Sequence, residues 1–176
     1  PCGKCEYCKS GKYNLCPDVE FLATPPYDGA FSEYLSYPAD MCFKLPEGMD
    51  TVEGALIEPL SVGFHAANQA NAQIGETAVV LGSGCIGLST LMALQARGVT
   101  EVYMVDLIDL RLEKAEQVGA AETLNAKEVD VIEEVMKLTG GKGVDMVIET
   151  AGSKVTAKQS VELIKRGGRI VLVGMA

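Results

Sequence analysis

The feature that most constrains this chain is a glycine-rich turn that follows a short apolar segment and precedes an apolar helical pattern. The apolar residues 78–81 lead into Gly82, Gly84 and Gly87, which are spaced as G-x-G-x-x-G. In a strand–turn–helix unit the first glycine permits the turn, the second lets a pyrophosphate approach the backbone, and the third lets the helix pack closely. The free N–H groups at the helix N-terminus then favour phosphate oxygens. The stretch therefore predicts a dinucleotide-binding turn.

An acidic residue downstream supports this interpretation. The next apolar segment, residues 101–105, ends in Asp106, where a carboxylate can accept hydrogens from both hydroxyls of a ribose. The same carboxylate favours NAD over NADP, because a 2′-phosphate charge about 4 Å away would cost about 4 kcal/mol at an effective dielectric of about 20. Arg111 either pairs with Asp106, flanks the adenosine, or is an ordinary solvated helix arginine.

Composition limits the classes of protein to consider. The chain has 176 residues, of which 48% are hydrophobic and 22% are charged, so it can form a packed core. Its net charge of −9 argues against nucleic acid or an anionic membrane as a partner. No apolar run approaches the length of about 20 residues that a membrane span needs. The missing initiator methionine and the abrupt PCGKC opening are typical of a fragment.

Four cysteines close to the N-terminus form a candidate metal site. Cys2, Cys5, Cys8 and Cys16 lie among lysines and glycines, and four thiolates at this spacing can surround one tetrahedral Zn²⁺ ion with a structural role. Two alternatives remain open. The spacing partly resembles a ferredoxin iron–sulfur pattern, although seven residues precede Cys16 where that pattern has three. Two disulfides would be the second alternative, but the cysteines are not spread as in a secreted protein, and a reducing cytoplasm is expected.

Alternating strand and helix patterns follow the first seventy residues, as a parallel α/β sheet requires. We expect a Rossmann-type domain over residues 72–176 with five of its six strands, and part of another domain over residues 1–71, with its metal lobe at 1–17. The carboxyl ends of the parallel strands should meet at the ligand crevice. The predicted strands are 78–81, 102–105, 122–124, 144–149 and 168–173, and the predicted helices are 86–97, 109–118, 129–138 and 155–165. At the crevice this pattern brings together Gly82, Gly84, Cys85, Ile86, Gly87, Asp106, Ala151, Val173, Gly174 and Met175.

The region before residue 72 has a different character. Residues 30–37 and 41–45 alternate well enough to predict strands of a β-rich domain. A helix follows from Asp50 or Thr51, and Pro59 is expected to interrupt it, which would leave Glu58 at a helix N-terminus. Glu58 lies inside an apolar run and is either a capping or ion-paired glutamate, or a metal ligand or general base at a cleft.

Together these motifs resemble the zinc-dependent medium-chain dehydrogenases. PCGKCEYCKSGKYNLC resembles the structural-zinc lobe of that family, LGSGCIGL its nucleotide turn, and VYMVDLIDLRLEKA its NAD-selecting strand and helix. FLATPPYDGAFSEYL and ALIEPLSVGFHA are most similar to the sorbitol and xylitol (polyol) dehydrogenase branch. The resemblance implies a GroES-like β domain, a Rossmann domain, and dimers or tetramers.

The resemblance also implies roles for single residues. Glu58 would belong to the catalytic-zinc environment, and Phe21 and Thr24 would line the polyol pocket. The residues expected to contact NAD are Ile86, Asp106, Arg111, Val173, Gly174 and Met175. In that family the other catalytic-zinc ligands lie upstream of the structural cysteines, where this chain begins.

Two functions from different classes therefore remain open at this stage. The first is an NAD- and zinc-dependent enzyme that oxidises a secondary alcohol of a polyol, with threonine, butanediol and simple alcohol dehydrogenases as its nearest competitors. The second is a zinc-stabilised NAD-binding module without turnover. The zinc content and the formation of NADH from a polyol distinguish the two.

Overall fold

The computed structural model describes residues 1–175, which form two compact units. The first unit is Pro1–Glu47, and the second begins at Gly48. This division lies earlier in the chain than the domain boundary expected near residue 71, because the helix that follows Gly48 packs against the second unit.

The first unit contains little regular structure. It has one short helix, α1 (Glu6–Lys9), and two single 3₁₀ turns, Tyr13–Leu15 and Ala39–Met41. The prediction of strands over 30–37 and 41–45 is wrong, since no strand is present within residues 1–47. Alternation alone does not make a strand, because the backbone N–H and C=O groups also need a neighbouring strand to pair with.

The second unit is a parallel sheet with helices connecting its strands, and it confirms the predicted Rossmann-type α/β class. The strands follow the spatial order β3 (Glu122–Asn125), β2 (Glu101–Asp106), β1 (Thr77–Leu81), β4 (Val144–Glu149) and β5 (Ile164–Leu172). This order reverses direction between β1 and β4, and both faces of the sheet are packed. No helix of residues 1–175 is long and apolar enough to cross a membrane. The elements are α2 (Thr51–Gln69), β1 (Thr77–Leu81), α3 (Cys85–Ala96), β2 (Glu101–Asp106), α4 (Asp109–Val118), β3 (Glu122–Asn125), α5 (Val131–Leu138), β4 (Val144–Glu149), α6 (Lys154–Leu163) and β5 (Ile164–Leu172).

Helix α2 is continuous, so the predicted break at Pro59 is wrong. The helix begins at a capping box, in which the Asp50 carboxylate accepts from the Glu53 N–H and the Glu53 carboxylate accepts from the Asp50 N–H. Its C-terminal half packs against α3. At Gly63 a Cβ atom would lie 2.5 Å from the backbone carbonyl carbon of Ser89. The burial of this half outweighs the cost of about 3 kcal/mol that an internal proline imposes.

Strand β5 starts earlier than the sequence pattern indicates. The pattern extended the preceding helix to residue 165, but the helix ends at Leu163 and Ile164 already pairs with Val144 of β4. A register irregularity between Val144 and Met146 accommodates the early start.

Candidate functional site

The glycine turn between β1 and α3 has the close contacts that its spacing predicts. Gly82 has a φ of +103°, and a Cβ there would lie 2.8 Å from the Thr150 hydroxyl. A Cβ at Gly87 would overlap the carbonyl oxygen of Gly82. Gly84, in contrast, has nothing within 4 Å of its Cβ position. The open side of Gly84 at the N-terminus of α3 therefore offers room for a ligand phosphate beside free N–H groups.

The carboxylate of Asp106 lies at the end of β2, beside this turn, and is only 8% exposed. Its Oδ1 accepts hydrogen bonds from the N–H groups of Leu107 at 2.7 Å and Ile108 at 3.1 Å. Its Oδ2 accepts from the Ser83 N–H at 2.8 Å and weakly from Arg111 Nη1 at 3.5 Å. The Arg111 side chain is 51% exposed, so it can move away and leave a lone pair of Oδ2 to a ribose hydroxyl.

A cavity of about 540 Å³ lies between these residues and the loop after β4. This volume falls within the range of ordinary small-molecule sites. Five of the predicted cofactor residues line it, and Cys85, Ile86, Gly87, Val173, Gly174 and Met175 do not. The full lining is Gly82, Gly84, Val105, Asp106, Leu107, Arg111, Ala126, Thr150, Ala151, Ser153, Val155, Thr156 and Gln159.

The chain after β5 meets the loop after β4 at close range. A Cβ at Gly152 would lie 2.5 Å from the carbonyl oxygen of Met175, and a Cβ at Gly174 would overlap the backbone N of Gly152. The ends of β4 and β5 therefore form one surface, next to the turn that follows β1, at the point where the strand order reverses.

Several polar residues of this region were missed by the sequence analysis. The Thr150 hydroxyl lies within hydrogen-bonding distance of the carbonyl oxygens of Leu81 (3.0 Å) and Gly82 (3.1 Å), and so holds the glycine turn in place. Glu149 and Thr156 are joined by a hydrogen bond of 2.7 Å between Thr156 Oγ1 and Glu149 Oε1. The available signal in the sequence was the position of Glu149 and Thr150 at the carboxyl end of β4, because that end of the sheet carries the ligand site.

The four N-terminal cysteines come together in the first unit. Their Sγ atoms lie within 4.8 Å of one another, and all four are free thiols. A tetrahedral ion with Zn–S bonds of about 2.3 Å needs sulfurs about 3.8 Å apart, so the donor set and spacing fit one zinc ion. Helix α1 orders the site, because the Cys5 thiol accepts from the Cys8 N–H at its N-terminus, and the Cys16 thiol accepts from the Cys2 N–H.

These thiols do not ionise alike. Hydrogen bonds from the backbone N–H groups of Lys4 and Cys5 lower the pKa of Cys2 to about 7. Desolvation raises the pKa of Cys8 to about 11, and its neighbour Cys5 adds to that effect. Metal ligation requires thiolates, so at neutral pH a bound ion has to displace the proton of Cys8.

The residues predicted for catalysis and substrate binding lie on different units. Glu58 is exposed on α2, and Phe21 and Thr24 are exposed in the first unit. Neither Phe21 nor Thr24 lines the cavity of about 670 Å³ in that unit. Among residues 1–175 the four cysteines are the only group of three or more ligating side chains placed to hold a metal, and Glu58 is not part of it.

Comparison with known proteins assigns both parts of the chain. Residues 85–176 match the family described as zinc-binding dehydrogenase, and residues 2–47 match the alcohol dehydrogenase GroES-like domain. The chain is 44% identical to a sorbitol dehydrogenase of Bacillus subtilis over 99% of its own length and 49% of that protein.

Two solved structures show the same fold. An oxidoreductase/dehydrogenase of unknown specificity from Escherichia coli has a TM-score of 0.96 at 49% identity, over 99% of this chain and 51% of the other. A zinc-binding dehydrogenase from Sinorhizobium meliloti, solved with NADP bound, has a TM-score of 0.91 at 36% identity, with the same shares covered. The chain spans about half the length of the curated relatives it matches.

Proposed function

The chain belongs to the zinc-binding dehydrogenases, and on that basis we propose that it is the cofactor-binding part of an NAD- and zinc-dependent polyol dehydrogenase. The complete enzyme would oxidise a secondary alcohol of a sorbitol- or xylitol-like polyol to the ketose. NAD, when bound, supplies the acceptor for the hydride that leaves the carbinol carbon. The likeness to a sorbitol dehydrogenase supports this substrate class.

One observation carries the cofactor assignment: the open side of Gly84 faces the same cavity as the buried carboxylate of Asp106. The backbone N–H groups at the start of α3 would receive the pyrophosphate, and Asp106 would accept from the adenosine ribose. Because that carboxylate is buried, it favours NAD over a cofactor with a 2′-phosphate. A similar dehydrogenase was solved with NADP bound, so the preference of this chain for NAD has to be tested.

Zinc would be held by the four cysteines of the first unit, with a structural role. Glu58 would contribute to the environment of a catalytic zinc, and Phe21 and Thr24 would contact the polyol. The likeness of residues 21–35 and 55–66 to polyol dehydrogenases supports these three roles.

Calorimetric titration with NADH and NADPH, together with zinc analysis, tests the proposal. We expect saturable binding of NADH, weaker binding of NADPH, and at least one zinc ion per chain. Tighter binding of NADPH would contradict the NAD assignment, and the absence of any dinucleotide binding by the folded protein would contradict the whole proposal.

A zinc-stabilised NAD-binding module without turnover is the second candidate. The single group of metal-ligating side chains in residues 1–175 favours it. Two zinc ions per chain with NADH formation from sorbitol or xylitol support the enzyme, whereas one zinc ion with binding alone supports the module. Threonine, butanediol and simple alcohols belong in the same substrate panel.

We also infer a cytoplasmic location and a homo-oligomer of two or four chains. The cysteines are not spread along the chain as in a secreted disulfide framework, which supports a reducing compartment, and the family resemblance supports the assembly. Light scattering during size-exclusion chromatography measures the number of chains.

A further inference from the structure

A buried glutamate at the end of β4 has no role in the function proposed so far. Glu149 is 2% exposed although it carries a carboxylate. The ion pairs formed within residues 1–175 do not include it. A buried carboxylate has to be satisfied by hydrogen bonds, so its partners show what it holds in place.

The partners of Glu149 belong to the loop that follows β4, to the first turn of α6 and to the segment that follows β5. Its Oε1 accepts from the N–H groups of Ala151 at 3.0 Å and Gly152 at 2.8 Å, and from the Thr156 hydroxyl at 2.7 Å. Its backbone oxygen accepts from the N–H groups of Val173 and Gly174 at 2.8 and 3.0 Å. One residue therefore ties both loops together.

The loop after β4 and the segment after β5 pack closely around Glu149. A Cβ at Gly174 would lie 2.7 Å from Glu149 Oε2, and another at Gly152 would lie 2.5 Å from the Met175 carbonyl oxygen. All three groups that contact Oε1 are hydrogen-bond donors, so they suit an acceptor. These hydrogen bonds are stronger when the acceptor carries a negative charge.

The location of these loops decides which part of the ligand they would meet. Asp106, at the end of β2, would take the adenosine ribose, and the turn after β1 would take the pyrophosphate. Since β4 and β5 lie on the other side of β1, the remaining half of the dinucleotide would extend over the ends of β4 and β5.

We propose that Glu149 is a positioning residue for the nicotinamide half of the cofactor, and this inference rests on the proposed dinucleotide binding. Glu149 does not touch the cofactor in this scheme. Its carboxylate sets the backbone of Ala151 and Gly152, and its carbonyl sets that of Val173 and Gly174, so that the nicotinamide and its ribose meet preformed loops.

The test compares a full dinucleotide with its adenosine half. The affinities of the zinc-loaded protein for NADH and for ADP are measured by calorimetry in the wild type, Glu149→Gln and Glu149→Ala. We expect NADH to bind about threefold to tenfold more weakly in Glu149→Gln and more weakly still in Glu149→Ala. The affinity for ADP should fall less than that for NADH, because Gly152, Val173 and Gly174 do not line the cavity that contains Asp106. Glu122→Gln, at an exposed position on β3, is the matched control.

Partial rescue by glutamine separates positioning from a general loss of structure. Glu149→Gln keeps the size of the side chain and one acceptor oxygen, which keeps the test valid if Glu149→Ala fails to fold. Wild-type affinity for NADH in the Glu149 variants, or an equal loss of NADH and ADP affinity, overturns the inference alone. A wild-type protein that does not bind NADH overturns the proposed function and this inference with it.

Discussion

The carboxylate of Asp106 is almost fully hydrogen-bonded before any ligand arrives. Three backbone N–H groups hold it at 2.7–3.1 Å, and only the contact with Arg111 at 3.5 Å is weak. Its position is therefore set by the backbone of the fold, and selectivity for the cofactor depends on the one lone pair that Arg111 can release.

Replacing Asp106 by asparagine should weaken NADH binding about tenfold and raise the ratio of NADPH to NADH affinity by at least about tenfold, because the repulsion of the 2′-phosphate is lost. Titration with both cofactors measures the two affinities. Asp109→Asn is the control, since Asp109 is an exposed carboxylate near Asp106 that accepts from the side chain of Asn125. An unchanged cofactor ratio in Asp106→Asn would exclude Asp106 as the selecting group.

A second carboxylate, Asp145, should control stability rather than binding. Burial raises its pKa, but the ion pair with Lys165 and the hydrogen bonds from Thr77 outweigh that effect, and the net result is a lowered pKa. A lowered folded-state pKa stabilises the protein above the unfolded-state pKa, and this contribution is lost as the pH falls through the folded-state value.

Asp145→Asn is therefore expected to cost about 1.5–3 kcal/mol of unfolding free energy at pH 7. The difference from the wild type should shrink toward zero in acid, where Asp145 itself becomes protonated. Urea denaturation at several pH values measures it. Glu162→Gln, which removes an exposed pair with Lys158, should change stability by less than about 1 kcal/mol. A difference for Asp145→Asn that does not vary with pH would contradict the assignment.

Among the elements, α2 depends most on a single position. Gly63 lets the backbone of α2 approach that of α3, and a Cβ there would lie 2.5 Å from the carbonyl carbon and oxygen of Ser89. Gly63→Ala should cost about 1–3 kcal/mol from the forced separation of the helices, even though alanine gains about 1 kcal/mol of helix propensity. Thermal unfolding measures the cost. Val52→Ala, at a position on the same helix that is 70% exposed, should have little effect, and a stabilised Gly63→Ala protein would contradict the close approach.

Elements whose pattern is local were the ones that the sequence predicted well. The helix at 109–118 and the strand at 144–149 were predicted with their observed bounds, because each is a short periodic segment closed by a glycine or a turn. The nucleotide turn was equally readable, since its three glycines serve contacts within one strand–turn–helix unit.

Elements decided by distant contacts were predicted poorly. The local sequence around Pro59 predicts a break in the helix, but packing at Gly63, Ala66 and Ala67 keeps α2 continuous. Strands at 30–37 and 41–45 would need partner strands that an alternating pattern does not specify. The hydrogen bonds of Glu149 were not predictable, because they join loops that only the folded sheet brings together.

For the molecule as a whole, the two units should differ in their dependence on metal. Within residues 1–47 only Cys16 is buried, so the first unit has almost no hydrophobic core, and zinc would supply much of its stability. The second unit has packed clusters on both faces of its sheet.

Removal of zinc by a chelator should therefore abolish hydrogen-exchange protection in residues 1–47 and leave protection of the sheet in the second unit nearly unchanged. Exchange followed by mass spectrometry reads both units in one experiment, and Cys42→Ser is the control because Cys42 is exposed and lies outside the metal cluster. Equal loss of protection in both units would contradict their independence.

Zinc affinity should also fall in acid. The pKa of Cys2 is about 7 and that of Cys8 is about 11, so Cys8 releases a proton on binding at pH 7, and Cys2 has to do so as well below pH 7. Each released proton weakens apparent binding about tenfold per pH unit. We expect a loss of at least about a hundredfold per unit well below pH 7, measured by competition with a chelating dye. A slope below two protons well below pH 7 would contradict ligation of the ion by both of these thiols.

The close contact of α2 and α3 at Gly63 connects Glu58 to the glycine turn. Glu58 sits on the same unbroken helix as that contact, and α3 begins at the glycine turn. Because no side chain separates the two backbones at Gly63, a displacement of α3 by a bound dinucleotide would also move α2 and Glu58.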